Sequence, residues 1–99
     1  MMTKRKPVSP GEMLEEEFMK PLGLTQTELA RTMGVERRLV NELCNGRRAI
    51  TADTALRLSR YFGTTPQFWM NLQANYELEL AADAWGAEIA VRIRPHHAA

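Results

Sequence analysis

The sequence predicts an all-α domain of five helices, on three observations. Apolar residues recur at helical spacing in five successive stretches. Four of those stretches open on a serine or threonine placed as a cap, and three close on glycine. The 99 residues are 44% hydrophobic and 25% charged, which is the usage of a globular chain with a core to bury. At this length a monomer buries only roughly 60–65% of the surface its unfolded chain exposes, so help from a partner subunit is expected.

The elements follow in order. Ser9-Pro10-Gly11-Glu12 reads as a capping box with proline at the first helical position. Met13, Leu14 and Phe18 supply an apolar stripe behind it, and Pro21 predicts a stop near Lys20. Thr25-Gln26-Thr27-Glu28 is a second capping box. Leu29, Ala30 and Met33 follow it, and Gly34 suits the left-handed residue past a helix end. The third helix is expected from near Glu36, with Leu39, Val40 and Leu43 along one side and Asn45-Gly46 at its end. Thr51 caps the fourth, where Asp53 meets the positive end of the helix dipole; Ala55, Leu58 and Phe62 form its stripe and Gly63 closes it. Thr65-Pro66 opens the fifth, which carries Phe68, Trp69, Leu72, Tyr76 and Leu80 on a long apolar face and is expected to end near Trp85-Gly86. Beyond it, Ile89, Val91 and Ile93 alternate with Ala90, Arg92 and Arg94. Two readings of that alternation stand: a short C-terminal strand pairing with its twin in a dimer, or a continuing helix. The expected organisation is a flexible basic arm at 1–7, one domain at 8–85 and a dimer-associated tail at 86–99.

Several function classes are excluded or disfavoured. No apolar run approaches the ~20 residues of a membrane helix, and the basic start, Lys4-Arg5-Lys6, has no apolar segment behind it as a secretory signal requires. A single cysteine, Cys44, rules out an internal disulfide and a cysteine-based zinc site; inert and partly buried is its expected state, and the cytoplasm is the expected compartment. His96-His97 follow Pro95 with no other histidine in the chain, so no metal is expected. Nor is a cofactor or small-molecule substrate, since there is no phosphate-cradling glycine loop and no nucleophile–base set. The glutamates at 12, 15, 16 and 17 are explained by capping and the helix dipole rather than by catalysis.

Net charge is only +1, but it is segregated. Residues 31–48 hold five arginines against two glutamates, whereas 71–88 hold four acids and no base. The acidic stretch reads either as a solvated face or as a surface for a basic partner, a role for which the first-helix glutamates compete.

Residues 25–45 have the spacing of a helix-turn-helix: a capped helix, a turn of about three residues, and a second helix of the kind that enters the DNA major groove. Leu24-Thr25-Gln26-Thr27-Glu28-Leu29-Ala30, then Met33-Gly34-Val35 and Asn45-Gly46-Arg47, resembles the lambda-repressor-like domain of phage repressors and Xre-type regulators. Pro10-Gly11-Glu12-Met13-Leu14, the run from Asn45 to Ala55 and the run from Tyr61 to Gln73 are similar, more narrowly, to HigA-type antitoxins, over roughly residues 8–82. That resemblance implies a homodimer that binds a palindromic operator, represses its own operon, neutralises a HigB-type messenger ribonuclease and performs no catalysis. The alternative is a stand-alone Xre-type regulator with no toxin; a further rival is a protein-interaction module that has lost DNA binding.

Within that frame Arg37, Arg38 and Asn41 are expected to read base edges, since arginine pairs with guanine and asparagine with adenine through two bonds. Glu42 either accepts from a cytosine amine or pairs with Arg38 four residues earlier. Leu39 either touches a thymine methyl or edges the core. Thr25 and Gln26, at a helix start, and Arg47 and Arg48 are expected to meet phosphate, with a partnerless surface arginine as the plainer reading of Arg48. Lys4, Arg5 and Lys6 form either an arm near DNA or a solubilising terminus. Trp69, Leu72, Tyr76 and Leu80, and Trp85 with them, are expected in the core or a dimer contact rather than around a ligand.

Overall fold

Five helices account for most of the chain in a computed structural model that describes residues 6–96. Helix α1 is built of three contiguous segments: Pro10–Met13, a π-helical turn Leu14–Met19, and Lys20–Leu22. Helices α2 (Gln26–Met33), α3 (Arg37–Cys44), α4 (Ala52–Phe62) and α5 (Pro66–Arg92) follow. Lys4, Arg5 and His97 lie outside the described residues.

The local rules act at most helix starts. Ser9 Oγ accepts from the Glu12 amide at 3.2 Å, Thr51 Oγ1 from Thr54 at 3.3 Å, and Thr65 Oγ1 from Phe68 at 3.1 Å. Each such cap contributes about 1 kcal/mol. Only Thr25 and Glu28 form the full reciprocal box.

Two expected boundaries are corrected. Helix α1 does not stop near Lys20 but runs through Pro21 to Leu22, where Gly23 closes it at φ 65°. Proline lacks an N–H and its ring strikes the carbonyl four residues back. The π turn ahead of it relieves that conflict, because its amides reach five residues back, as Lys20 does to the Glu15 carbonyl. Helix α5 does not end at Trp85-Gly86. It continues to Arg92, and among the described residues there is no strand. Gly86 weakens a helix, but alanines at 81, 82, 84, 87 and 90 surround it with strong helix formers, and Glu88 pairs with Arg92 at 3.3 Å.

Every helix puts residues into one core: Leu14 and Met19 from α1, Leu29, Ala30 and Met33 from α2, Val40 and Leu43 from α3, Ala55 and Leu58 from α4, Trp69 from α5. The small Ala30 side chain allows α2 and α3 to cross closely. Trp69 is fully buried, and its Nε1 donates to Thr64 Oγ1 at 2.7 Å. Around it Phe18, Phe62 and Phe68 pack with ring centroids 4.9–6.2 Å apart, a geometry that adds roughly 0.5–1.5 kcal/mol per favourable pair. Gln73 closes the opposite end: its Oε1 accepts from the buried Ile50 amide at 2.8 Å.

Helix α5 projects beyond this core. At 27 residues it is about 40 Å long, and it stretches the molecule to 54 Å with a radius of gyration of 16.9 Å, against about 13 Å for a compact chain of this size. Its outer half exposes Leu78, Leu80, Trp85, Ile89 and Val91, with Trp85 58% and Val91 82% exposed. Trp85 is therefore not a core residue. Among the described residues no helix is long and apolar enough to cross a membrane.

Gly11 marks a close approach of two helices. A Cβ added there would lie 1.5 Å from the Leu43 carbonyl oxygen and 2.2 Å from its carbon. The start of α1 thus rests directly on the backbone of α3, and no side chain fits between them. Gly11→Ala is expected to lower unfolding free energy by at least about 1–3 kcal/mol, the usual cost of overpacking, read as a lower urea midpoint with an unchanged slope. A midpoint equal to that of the native chain would show that this contact does not hold α3.

Candidate nucleic-acid interface

Helices α2 and α3 are joined by a tight turn whose chirality comes from Gly34, at φ 71°. Its amide and that of Val35 return to the Arg31 and Ala30 carbonyls, which ends α2 and redirects the chain within a few residues. Arg57 of α4 fixes the same turn from outside. Its Nη1 donates to the Met33 carbonyl at 2.7 Å, while its Nε pairs with Asp53 at 2.9 Å. A Cβ at Gly34 would lie 3.3 Å from that Arg57 nitrogen, so glycine supplies both the backbone angle and the room. The sequence reading missed Arg57; its one signal was the spacing of four residues from Asp53.

Helix α3 turns Val40 and Leu43 into the core, packs Leu39 and Cys44 against its edge, and exposes Arg37 and Arg38. Its start differs from the others: Glu36 caps it with no side-chain bond, and its first turn carries Arg37 and Arg38 with no acid. Cations at the positive end of a helix dipole are unfavourable. Both are exposed, and Arg37 has no side-chain partner among the described residues. One turn on, Asn41 Nδ2 donates to Gln26 Oε1 at 3.1 Å, and Asn45 Nδ2 donates to Asn41 Oδ1 at 3.2 Å. This chain ties the start of α2 to the outward face of α3 and leaves the Gln26 amide nitrogen as an outward donor. Thr25 beside it holds the box with Glu28, whose carboxyl is drawn below its ordinary range by the Thr25 amide and then the Thr25 hydroxyl.

Glu42 pairs with Arg38 at 3.0 Å, one of the two readings expected for it, and also with Arg48 at 3.4 Å. Arg48 is thus not partnerless. Arg47 follows Gly46 into the exposed loop with no side-chain partner among the described residues. Leu39 is half-buried and packs on the core edge. The structure therefore brings Thr25, Gln26, Arg37, Arg38, Asn41, Glu42, Arg47 and Arg48 onto α2, α3 and the loop that follows.

The aromatic and leucine set on α5 divides. Trp69 is in the core, Leu72 packs against it, Tyr76 is half-buried and Leu80 is exposed. Cys44 is half-buried with its sulfur 3.8 Å from that of Met19, and burial, reinforced by the Glu15 carboxylate, pushes its thiol up to about 11. Among the described residues no three His, Cys, Asp or Glu side chains gather as a metal ion would need.

A helix-turn-helix family model matches residues 16–69. The antitoxin HigA-1 of Vibrio cholerae is 49% identical over 76 residues, covering 77% of this chain and 71% of that protein. The Pseudomonas aeruginosa antitoxin HigA, solved with the higBA promoter, superposes with a TM-score of 0.89 at 43% identity over 92% of this chain and 99% of that one. The antitoxin GraA in complex with its operator gives a TM-score of 0.88 at 40% identity over 99% of both chains. The chain belongs to the Xre-type helix-turn-helix family, among its HigA-type antitoxins.

Proposed function

We propose that the chain is a dimeric antitoxin of the cytoplasm that binds a palindromic operator, represses its own operon and neutralises a HigB-type messenger-cleaving toxin by direct contact. The observation that carries the DNA-binding part is the exposed first turn of α3, where Arg37 and Arg38 stand beside the Asn41–Gln26 pair. The promoter- and operator-bound relatives support it. Arg37, Arg38 and Asn41 read base edges; Thr25, Gln26, Arg47 and Arg48 grip phosphate and set the register.

The outer half of α5 supports the dimer. Leu78, Trp85 and Ile89 share one exposed face of the helix, an exposed apolar face is read as an interaction site, and a two-fold pair joined there would present two α3 helices about 34 Å apart, one turn of DNA. Two acidic surfaces suit a basic toxin: Glu12, Glu16 and Glu17 on α1, and Glu77, Glu79 and Glu88 on α5, all exposed.

The two kinds of DNA contact have different signatures. Arg37→Ala should relax preference at one base position, by about 1–3 kcal/mol of discrimination. Gln26→Ala and Arg47→Ala should instead weaken every sequence alike, and Arg47→Ala, which removes a cation, should also flatten the salt dependence. Titration against operator variants at two salt concentrations separates them; equal losses across all variants for Arg37→Ala would remove it as a reader. Sedimentation of the operator complex should give two chains per site, and tight binding by a demonstrated monomer would defeat the two-fold geometry. Co-expression with the product of the adjacent reading frame should restore growth and yield a co-purifying pair. If neither occurs, the chain is a stand-alone regulator.

A further inference from the structure

Glu42 is a carboxylate placed on a helix that meets a polyanion, and its surroundings give a reason for it. Each of its oxygens holds a different arginine: Oε2 takes Arg38 Nε at 3.0 Å and Oε1 takes Arg48 Nη1 at 3.4 Å. The two arginines come from opposite ends of α3, one in its first turn and the other beyond its end. Together with Glu36 and Leu39 the three side chains bound a surface recess of about 370 Å³. The side chain of Glu42 is 28% exposed, against 82% for Arg38 and 44% for Arg48, so the carboxylate sits lower than the cations it holds. Exposed ion pairs add little to stability, and Glu42 caps no helix end, so folding does not account for it.

We propose that Glu42 is a specificity-determining positioning residue. It holds Arg38 and Arg48 in an internal triad that operator DNA meets intact, through the guanidinium nitrogens the carboxylate leaves free, whereas arbitrary DNA phosphate gains the full charge of the two cations only by breaking it. The proposal rests on the DNA-binding reading above. Non-specific binding is essentially all electrostatic, and each cation that meets a phosphate contributes about 0.9 to the slope of log affinity against log salt. Withholding two cations therefore lowers non-specific affinity more than operator affinity and widens the ratio between them. The arrangement also orders Arg48, which lies in a loop, against α3 before DNA arrives.

The test compares the native chain, Glu42→Gln and the double variant Glu42→Gln/Arg48→Ala. Each is titrated with the duplex upstream of its own coding sequence and with a scrambled duplex of equal length, across a series of salt concentrations. Glutamine keeps the shape and removes the charge. Glu42→Gln should bind the scrambled duplex on the order of tenfold tighter, with a slope steeper by one to two units of about 0.9 each. Its operator affinity should change much less, so the ratio falls. Removing Arg48 in that background should take back about one such unit. Three results overturn the proposal: scrambled-duplex affinity and slope that do not change, a loss confined to one cytosine-bearing operator position, or parallel losses on both duplexes with a lower melting temperature. The first leaves Glu42 without a role in selection, the second makes it a base reader and the third makes it structural. A native chain that shows no preference for the operator at any salt overturns the DNA-binding reading itself, a result distinct from all three.

Discussion

Helix α3 has eight residues, and a helix that short does not persist alone in water. It also lacks the usual local support: no side chain caps it, its first turn holds no acid, and two arginines stand there where they are electrostatically unwelcome. Its helical state therefore comes from outside, from the burial of Val40 and Leu43 and from the contact of its Leu43 carbonyl with Gly11. Burying one such side chain contributes about 1.5–3 kcal/mol, enough to outweigh the missing cap. Side-chain capping is missing at the start of the helix that displays the arginines and present at the starts of the helices that carry it, as expected where a surface is shaped for binding.

The supporting contacts share a pattern. Arg57 reaches from α4 to the Met33 carbonyl, Gln73 reaches from α5 to the Ile50 amide, and Asn41 reaches from α3 to Gln26. Each ties a loop or helix end near α3 to a different element, and each satisfies or orients polar groups that the helices' own ladders do not use. A buried amide such as that of Ile50 would cost about 1–3 kcal/mol if left unpaired, so these bonds constrain position more than they add net stability. Their combined effect is a rigid outward face, the condition for reading DNA with a few side chains.

Most of the fold was legible because the chain marks its helix ends with threonine, serine and glycine, and those marks act locally. Capping at Thr25, Thr51 and Thr65 and the left-handed glycines at 34 and 63 involve partners only a few residues away. What was not legible depends on distant partners or on competing local preferences. Pro21 signals a stop, and only the π turn ahead of it shows why the helix continues. Ile89, Val91 and Ile93 alternate as a strand would, but alanine-rich helix propensity carries the helix on to Arg92. Gly11 gave no sign of its contact with Leu43, thirty-two residues on. At the interface the residue types were readable, since arginine and asparagine carry their chemistry with them. Their pairing was readable only within a helix: the Arg38–Glu42 spacing of four was visible, whereas Arg48 joining the same carboxylate depends on how the loop after Gly46 folds back.

The projecting half of α5 has a thermodynamic consequence. Its last turns are exposed and are held by helix propensity and by pairs such as Glu88–Arg92, and such segments open at a small fraction of the global unfolding energy. Whatever binds the ordered arm and not the opened one shifts that balance by mass action. Occupancy then becomes a structural variable: the free arm opens and exposes its backbone amides, and the bound arm does not.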